Sequence, residues 1–175
     1  IALNGDGTQL ALLDEAGRYI SPTEAAVLLV SYLKPDVLAV PVDTSTIIDD
    51  VFWSKVEPVE TPHEEGVNRR IVKTDGSLEQ TAEAIRGDSR AMGITDDWHI
   101  IFSDISLCPD AVYAAVVFAE IAGRNSIRGA ISSLPVYAQL EDRLNYDGNH
   151  EIFKKRIRVE IDRIEDAVLN EIDGW

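Results

Sequence analysis

Apolar residues in this chain come in short runs set off by polar turns. Leu10-Ala11-Leu12-Leu13 follows a glycine-rich opening and leads into Asp14-Glu15-Ala16-Gly17-Arg18, a turn before Tyr19-Ile20. Ser21-Pro22-Thr23-Glu24 then reads as a helix start: Ser21 caps, Pro22 suits the first turn, and Glu24 completes a capping box. That helix is expected to reach Leu33, where Lys34-Pro35-Asp36 stops it. Val37 to Val42 is an unbroken apolar run after a turn signal, the pattern of a buried strand. Asp43-Thr44-Ser45-Thr46 lies at its C-terminal end, with Thr44 or Ser45 placed to cap a short helix over Ile47–Val51.

The alternation continues downstream. Arg70-Ile71-Val72 reads as a strand, Ser77-Leu78-Glu79-Gln80 as a second capping box, and its helix as running to Ile85. Arg90–Ile94 and Trp98–Phe102 read as strands flanking the polar loop Thr95-Asp96-Asp97. Pro109 marks the start of a helix to Ala122, with Gly123 as its C-terminal glycine. Asn125-Ser126 caps a further helix through Ser133, and Leu134-Pro135 closes this part. Strands alternating with helices predict an α/β fold, a mixed sheet of about four strands flanked by helices. Phe52 to Arg70 is acidic and proline-broken; Val56, Val59 and Val67 suit a hairpin, and His63 beside Glu60 and Glu64 suits a solvated acidic loop better than a metal site.

The C-terminal part has a different texture. Asp147-Gly148-Asn149 caps one long charged helix over about residues 150–170, in which Phe153, Ile157, Ile161, Ile164 and Val168 form one apolar stripe. Such a stripe needs a partner, and self-association through this helix or docking on the first domain would cover it.

Charge and composition narrow the function classes. The chain has 175 residues, 31 acids against 16 bases, and a net charge of −15. That field repels phosphate backbones and argues against nucleic-acid binding. No apolar run approaches the ~20 residues that span a bilayer, so no membrane association is expected. Cys108 is the single cysteine, which excludes an intrachain disulfide and suits a reducing cytoplasm. The lysine-poor acidic surface would also suit a salt-rich setting, although an ordinary acidic protein accounts for it as well.

Two loops carry candidate chemistry. Asn4-Gly5-Asp6-Gly7-Thr8-Gln9 alternates glycines with oxygen-bearing side chains, so Asn4, Asp6 and Thr8 could converge on a hard cation. The same residues could equally form a plain turn entering a strand. Thr95-Asp96-Asp97-Trp98-His99 places two carboxylates, each able to accept two donors, beside an indole. The alternative is a hairpin tip with Asp96 and Asp97 exposed and Trp98 in the core.

Taken together, NGDGTQLALLDEAGRYISPTE resembles the metal loop, strand, turn and helix start of the α-D-phosphohexomutase family, the phosphoglucomutases and phosphomannomutases, which read D-G-D-x-D-R, a turn such as DENG, then ISPDE. Cys108-Pro109-Asp110-Ala111-Val112-Tyr113-Ala114-Ala115 is similar to that family's PDAIYAAL helix entrance, and Leu134-Pro135-Val136-Tyr137 to its LP-x-Y. The chain departs from the pattern at Asn4, Thr8 and Gln9, which stand where two aspartates and an arginine would be.

The resemblance implies a domain division: 1–20 a metal-loop hairpin ending the family's second domain, 21–137 a sugar-binding α/β domain, and 138–175 a linker plus the first helix of a fourth domain. It implies Mg2+ held through Asn4, Asp6 and Thr8 at a weakened site. It also implies phosphosugar contacts at Thr95, Asp96, Asp97 and His99, and at Gly76 in the loop after the strand at Arg70. The implied chemistry is phosphoryl transfer between sugar hydroxyls through a phosphoserine. The chain has neither a T-x-S-H-N-P serine loop nor an R-x-S-G-T-E-P phosphate clamp, so it reads as a fragment without catalytic residues or mutase activity of its own. A catalytically retired relative that binds a phosphosugar or a protein is the alternative, and an α/β domain without a ligand is a third reading.

Overall fold

The computed structural model of the chain describes residues 1–53, 69–137 and 147–161. The expectations for Val56, Val59, His63 and Val67, and for the helix beyond Ile161, lie outside the described residues. The chain divides into two compact units, Ile1–Tyr137 and Ala138–Trp175.

Three short strands open the first unit: β1 (Ala2–Leu3), β2 (Leu10–Leu13) and β3 (Tyr19–Ile20), antiparallel in that order. Leu12 pairs with Ile20 and both point into the core, while Leu13 and Tyr19 face solvent. Asp14 holds the turn between β2 and β3: its carboxylate accepts from the backbone N–H groups of Ala16 and Arg18 and from the Arg18 side chain. These bonds hold the Asp14 carboxyl below its usual range, the Arg18 backbone contributing most. A depressed pKa is a stabilising contribution present above the unfolded value and lost as pH falls through the folded one.

Helix α1 (Pro22–Leu33) begins as the sequence indicates, with Ser21 and Glu24 closing a reciprocal capping box, and it ends at Lys34 in a left-handed conformation. The main sheet follows. Strands β4 (Val37–Pro41), β5 (Arg70–Thr74) and β6 (Ala91–Ile94) are parallel; β7 (Ile100–Phe102) is antiparallel to β6 and β8 (Ser106–Pro109) antiparallel to β7, in the order β5-β4-β6-β7-β8. The sheet is mixed and flanked by helices as expected, with five strands where about four were expected. Pro109 ends the additional strand instead of starting a helix. The following helix, α4, spans Ala111–Arg124 with Asp110 as its cap, and Gly123 lies inside it rather than beyond its end.

Both faces of the sheet are covered. Leu38 and Val40 of β4 point to the larger core, shared with α1, with α2 (Thr46–Phe52), with α4 and with α5 (Ile127–Ser132). Val37 and Ala39 point to a smaller core with Ala82 and Ile85, at and just after α3 (Leu78–Ala84). Alternate residues of one apolar strand thus serve two layers, as parallel sheets require. Ser45 occupies the cap position of α2 without a side-chain cap bond, whereas Ser77 and Ser126 cap α3 and α5 through their hydroxyls.

In the second unit, α6 (His150–Ile161) starts at Asn149, whose side-chain oxygen accepts from the N–H groups of Glu151 and Ile152. Ile152, Ile157 and Val159 are exposed on it.

The capping box at α1 gives a direct test. Replacing Ser21 with Ala should lower the stability of the fold by about 1 kcal/mol in denaturant unfolding; an unchanged midpoint would show that the box contributes nothing.

Candidate functional site

The loop Asn4–Gln9 is closed on itself. Asn4 Oδ1 accepts from the N–H groups of Thr8 (3.0 Å) and Gln9 (3.0 Å), and Asn4 Nδ2 donates to Thr8 Oγ1 at 3.1 Å. Thr8 Oγ1 in turn donates to Asp6 Oδ1 at 2.6 Å. Gly7 takes a positive φ of 72°, and a Cβ there would press against the Val112 side chain at 3.3 Å, so glycine suits this corner. Its carbonyl accepts from Ala111 N–H at 2.9 Å, tying the loop to the start of α4. The Thr8 hydroxyl and N–H bonds depress the Asp6 carboxyl below its usual range.

The second loop sits where β6 hands over to β7. Its core is a tight turn: Trp98 N–H donates to the Thr95 carbonyl, and His99 N–H to Thr95 Oγ1 at 3.1 Å. The Thr95 side chain is therefore buried and used as a brace, and His99 is half-buried beside it. Trp98 adopts a positive φ of 59° and packs partly buried against the main core. This is the hairpin-tip arrangement rather than an indole displayed for stacking. Asp96 and Asp97 are left exposed at the tip.

Strand direction decides what surrounds that tip. The ends of β4, β5 and β6 lead into Asp43, into Asp75-Gly76 and into Thr95-Asp96 respectively, all on one side of the parallel portion, the region where open α/β sheets bind ligands. Asp96 N–H donates to the Gly76 carbonyl at 3.0 Å. Although Asp96 is exposed as a residue, partial desolvation of its carboxyl pushes it up, and the negative charges of Asp43, Asp97 and Asp75 push it further. Of the anticipated residues, the fold thus brings Gly76, Thr95, Asp96, Asp97 and His99 together.

It also joins the two loops. Gln9 Nε2 donates to the Asp97 carbonyl at 3.1 Å across 88 residues of sequence. Gln9, Asp43 and Asp75 also lie at this candidate site; the sequence marks Asp43 only within the polar end of a strand, Asp75 only within a loop, and Gln9 only as a departure from the family pattern. Strand ends carrying a polar residue after an apolar run were the available signal for the two aspartates; for Gln9 there was none.

Whether the first loop suits Mg2+ can be judged from its donors. The cation prefers six oxygens in octahedral array, with carboxylates among them. Here Asn4 Oδ1 is taken by two N–H groups, Thr8 Oγ1 is committed to Asp6, and only Asp6 is charged. Among the described residues no group of three or more His, Cys, Asp or Glu side chains is placed to hold a metal. The set does not by itself form a cage for a hard cation. Titrating the chain with Mg2+ should give no saturation below about 1 mM; micromolar saturation abolished by Asp6→Asn would contradict this.

No family-wide sequence profile matches the chain. Individual proteins do. A probable phosphoglucosamine mutase of Methanosarcina acetivorans is 30% identical over 141 residues, 79% of this chain and 29% of that protein. A probable phosphoglucosamine mutase of Methanocella arvoryzae is 27% identical over 176 residues, 99% of this chain and 37% of that protein. A third, of Methanosarcina barkeri, is 29% identical over 141 residues. The chain thus spans roughly a third of the length of the curated proteins it matches. Over most of its own length it is a relative of the probable phosphoglucosamine mutases, and through them of the α-D-phosphohexomutase family.

Proposed function

We propose that this chain is the sugar-reading portion of a phosphosugar mutase and that its sugar is an amino sugar phosphate. The observation that carries the proposal is the convergence of Asp43, Asp75, Asp96 and Asp97 at the ends of three parallel strands, in a chain similar to probable phosphoglucosamine mutases. A carboxylate accepts hydrogen bonds from hydroxyls, but a group of them also favours a cation. A sugar ammonium supplies that cation, and a hydroxyl at the same carbon does not. Asp96 and Asp97 take the sugar contacts in this reading. Thr95 and His99 shape the turn, and Gly76 anchors it.

Phosphoryl transfer depends on positioning and charge neutralisation. The chain contributes positioning; the phosphoserine and phosphate-clamp motifs of the family are not found in residues 1–175, so we assign turnover to a longer protein and none to this chain alone. If Mg2+ takes part there, Asp6 is the one charged contact this loop offers it, and the phosphate would have to supply most of the remaining negative ligands. A second reading follows from the hydrogen-bonded closure of Asn4, Asp6 and Thr8: a retired relative that binds a phosphosugar without turnover.

Calorimetric titration with glucosamine 6-phosphate and glucose 6-phosphate tests the assignment. Charge-assisted hydrogen bonds exceed neutral ones by enough to give about a tenfold preference for the amino sugar. The preference should be present near about pH 6 and fade near about pH 9, where the sugar ammonium is deprotonated. Asp96→Asn should reduce it. Equal affinities at both pH values would refute an amino-sugar site.

A further inference from the structure

We infer that Gln9 and Gly76 are positioning residues that clamp the Thr95–His99 loop through the adjacent Asp97 and Asp96, and that Asn4 serves this clamp. The functional meaning rests on the sugar-reading assignment above, but the clamp itself stands on contacts that need no ligand.

One arm starts at Asn4. Its side-chain oxygen fixes the Gln9 N–H, and its own N–H donates to the Gln9 carbonyl at 3.1 Å. The Gln9 backbone is thus held at both polar groups, and its amide reaches Asp97 O at 3.1 Å. An aspartate at position 4 could accept the same N–H groups but could not also donate to Thr8 Oγ1, as Asn4 does. The residues that leave the loop poor in charge are therefore the ones that build this arm.

The other arm starts in the interior. Thr81 is fully buried, and its hydroxyl lies 3.4 Å from that of Thr74. Thr74 Oγ1 accepts from Gly76 N–H at 3.2 Å, and the Gly76 carbonyl accepts from Asp96 N–H. Gly76 has φ 82°, and a Cβ on it would lie 1.8 Å from Asp96 Oδ1 and 2.1 Å from its Cγ. No side chain fits there without expelling the Asp96 carboxylate. Asp96 and Asp97 are thus presented from a loop whose main chain is fixed at the Asp96 N–H and at the Asp97 carbonyl. Preorganisation of this kind reduces the ordering cost of binding.

Amide hydrogen exchange of Asp97, Trp98 and His99 in the full chain tests this. Gln9→Ala and Gln9→Glu, which removes the donor, should each speed exchange of these amides about fivefold with the melting temperature unchanged. Gln9→Arg, which restores an N–H donor, should return exchange toward the original rate. Gly76→Ala should speed it about tenfold or more, and adding Asp96→Ala, which removes the colliding atoms, should recover part of that loss. Original exchange rates in Gln9→Ala, or no rescue by Gln9→Arg, would overturn the first arm. Equal damage from Gly76→Ala with and without Asp96→Ala would overturn the second. Because exchange is read without sugar, a failed clamp and a failed amino-sugar assignment give different results. Glucosamine 6-phosphate titration of Gln9→Ala completes the set: weaker binding than the original chain is expected, and unchanged binding would show that the clamp does not serve the site.

Discussion

The structure depends on β4 being buried on both faces. Leu38 and Val40 fill one core and Val37 and Ala39 the other, so β4 can only be a central strand, and its neighbours β5 and β6 run parallel to it. Parallel strands with covering helices deliver their C-terminal ends to the same side of the sheet. Asp43, Asp75 and Asp96 meet because of this topology, although 53 positions separate the first from the last in sequence. The reversal of direction from β6 to β7 then forces a tight turn at that side, and the turn is the Thr95–His99 loop.

The electrostatic consequence has a definite sign. A carboxyl whose folded-state pKa is raised costs stability as pH rises from its unfolded value toward the folded one. Asp96 is such a group, because of the partial desolvation of its carboxyl and then because of Asp43, Asp97 and Asp75. Asp6 and Asp14 are the opposite case, held low by hydrogen bonds from Thr8 and from Arg18 and Ala16. The hairpin that opens the chain is therefore favoured by ionised carboxylates, while the tip at Asp96 resists ionisation. A cation beside Asp96 would relieve that resistance, which is the physical basis of the amino-sugar proposal.

What could be read from sequence was what depends on neighbours in sequence. The caps at Ser21, Ser77 and Ser126 were legible because an N-cap bond spans only three residues. The apolar run at Val37 and the alternation of strands and helices gave the fold class. Strand β8 was not legible: Ser106–Pro109 is short, ends in proline, and is defined by pairing with β7 across a register shift at Ile101–Phe102. Gly123 looked like a helix terminator, yet the left-handed stop it would supply is not used, because the chain leaves α4 at Asn125 in an extended conformation. At the site, the acidic tip could be located from its flanking strands. Gly76 was reached only through the family resemblance, and the reach of Gln9 to Asp97 is a tertiary contact that no local pattern records.

The central claim is that the acidic tip at Asp96 and Asp97, with Gly76 beside it, is where a phosphosugar sits. Mapping backbone amide shifts of the chain during titration with glucosamine 6-phosphate tests that claim directly. The account predicts saturating shifts confined to Asp43, Asp75-Gly76 and Thr95–His99, with smaller ones at Gln9. Shifts centred on the opposite end of the sheet, at Arg70 and Arg90, or no saturable shifts at all, would contradict it.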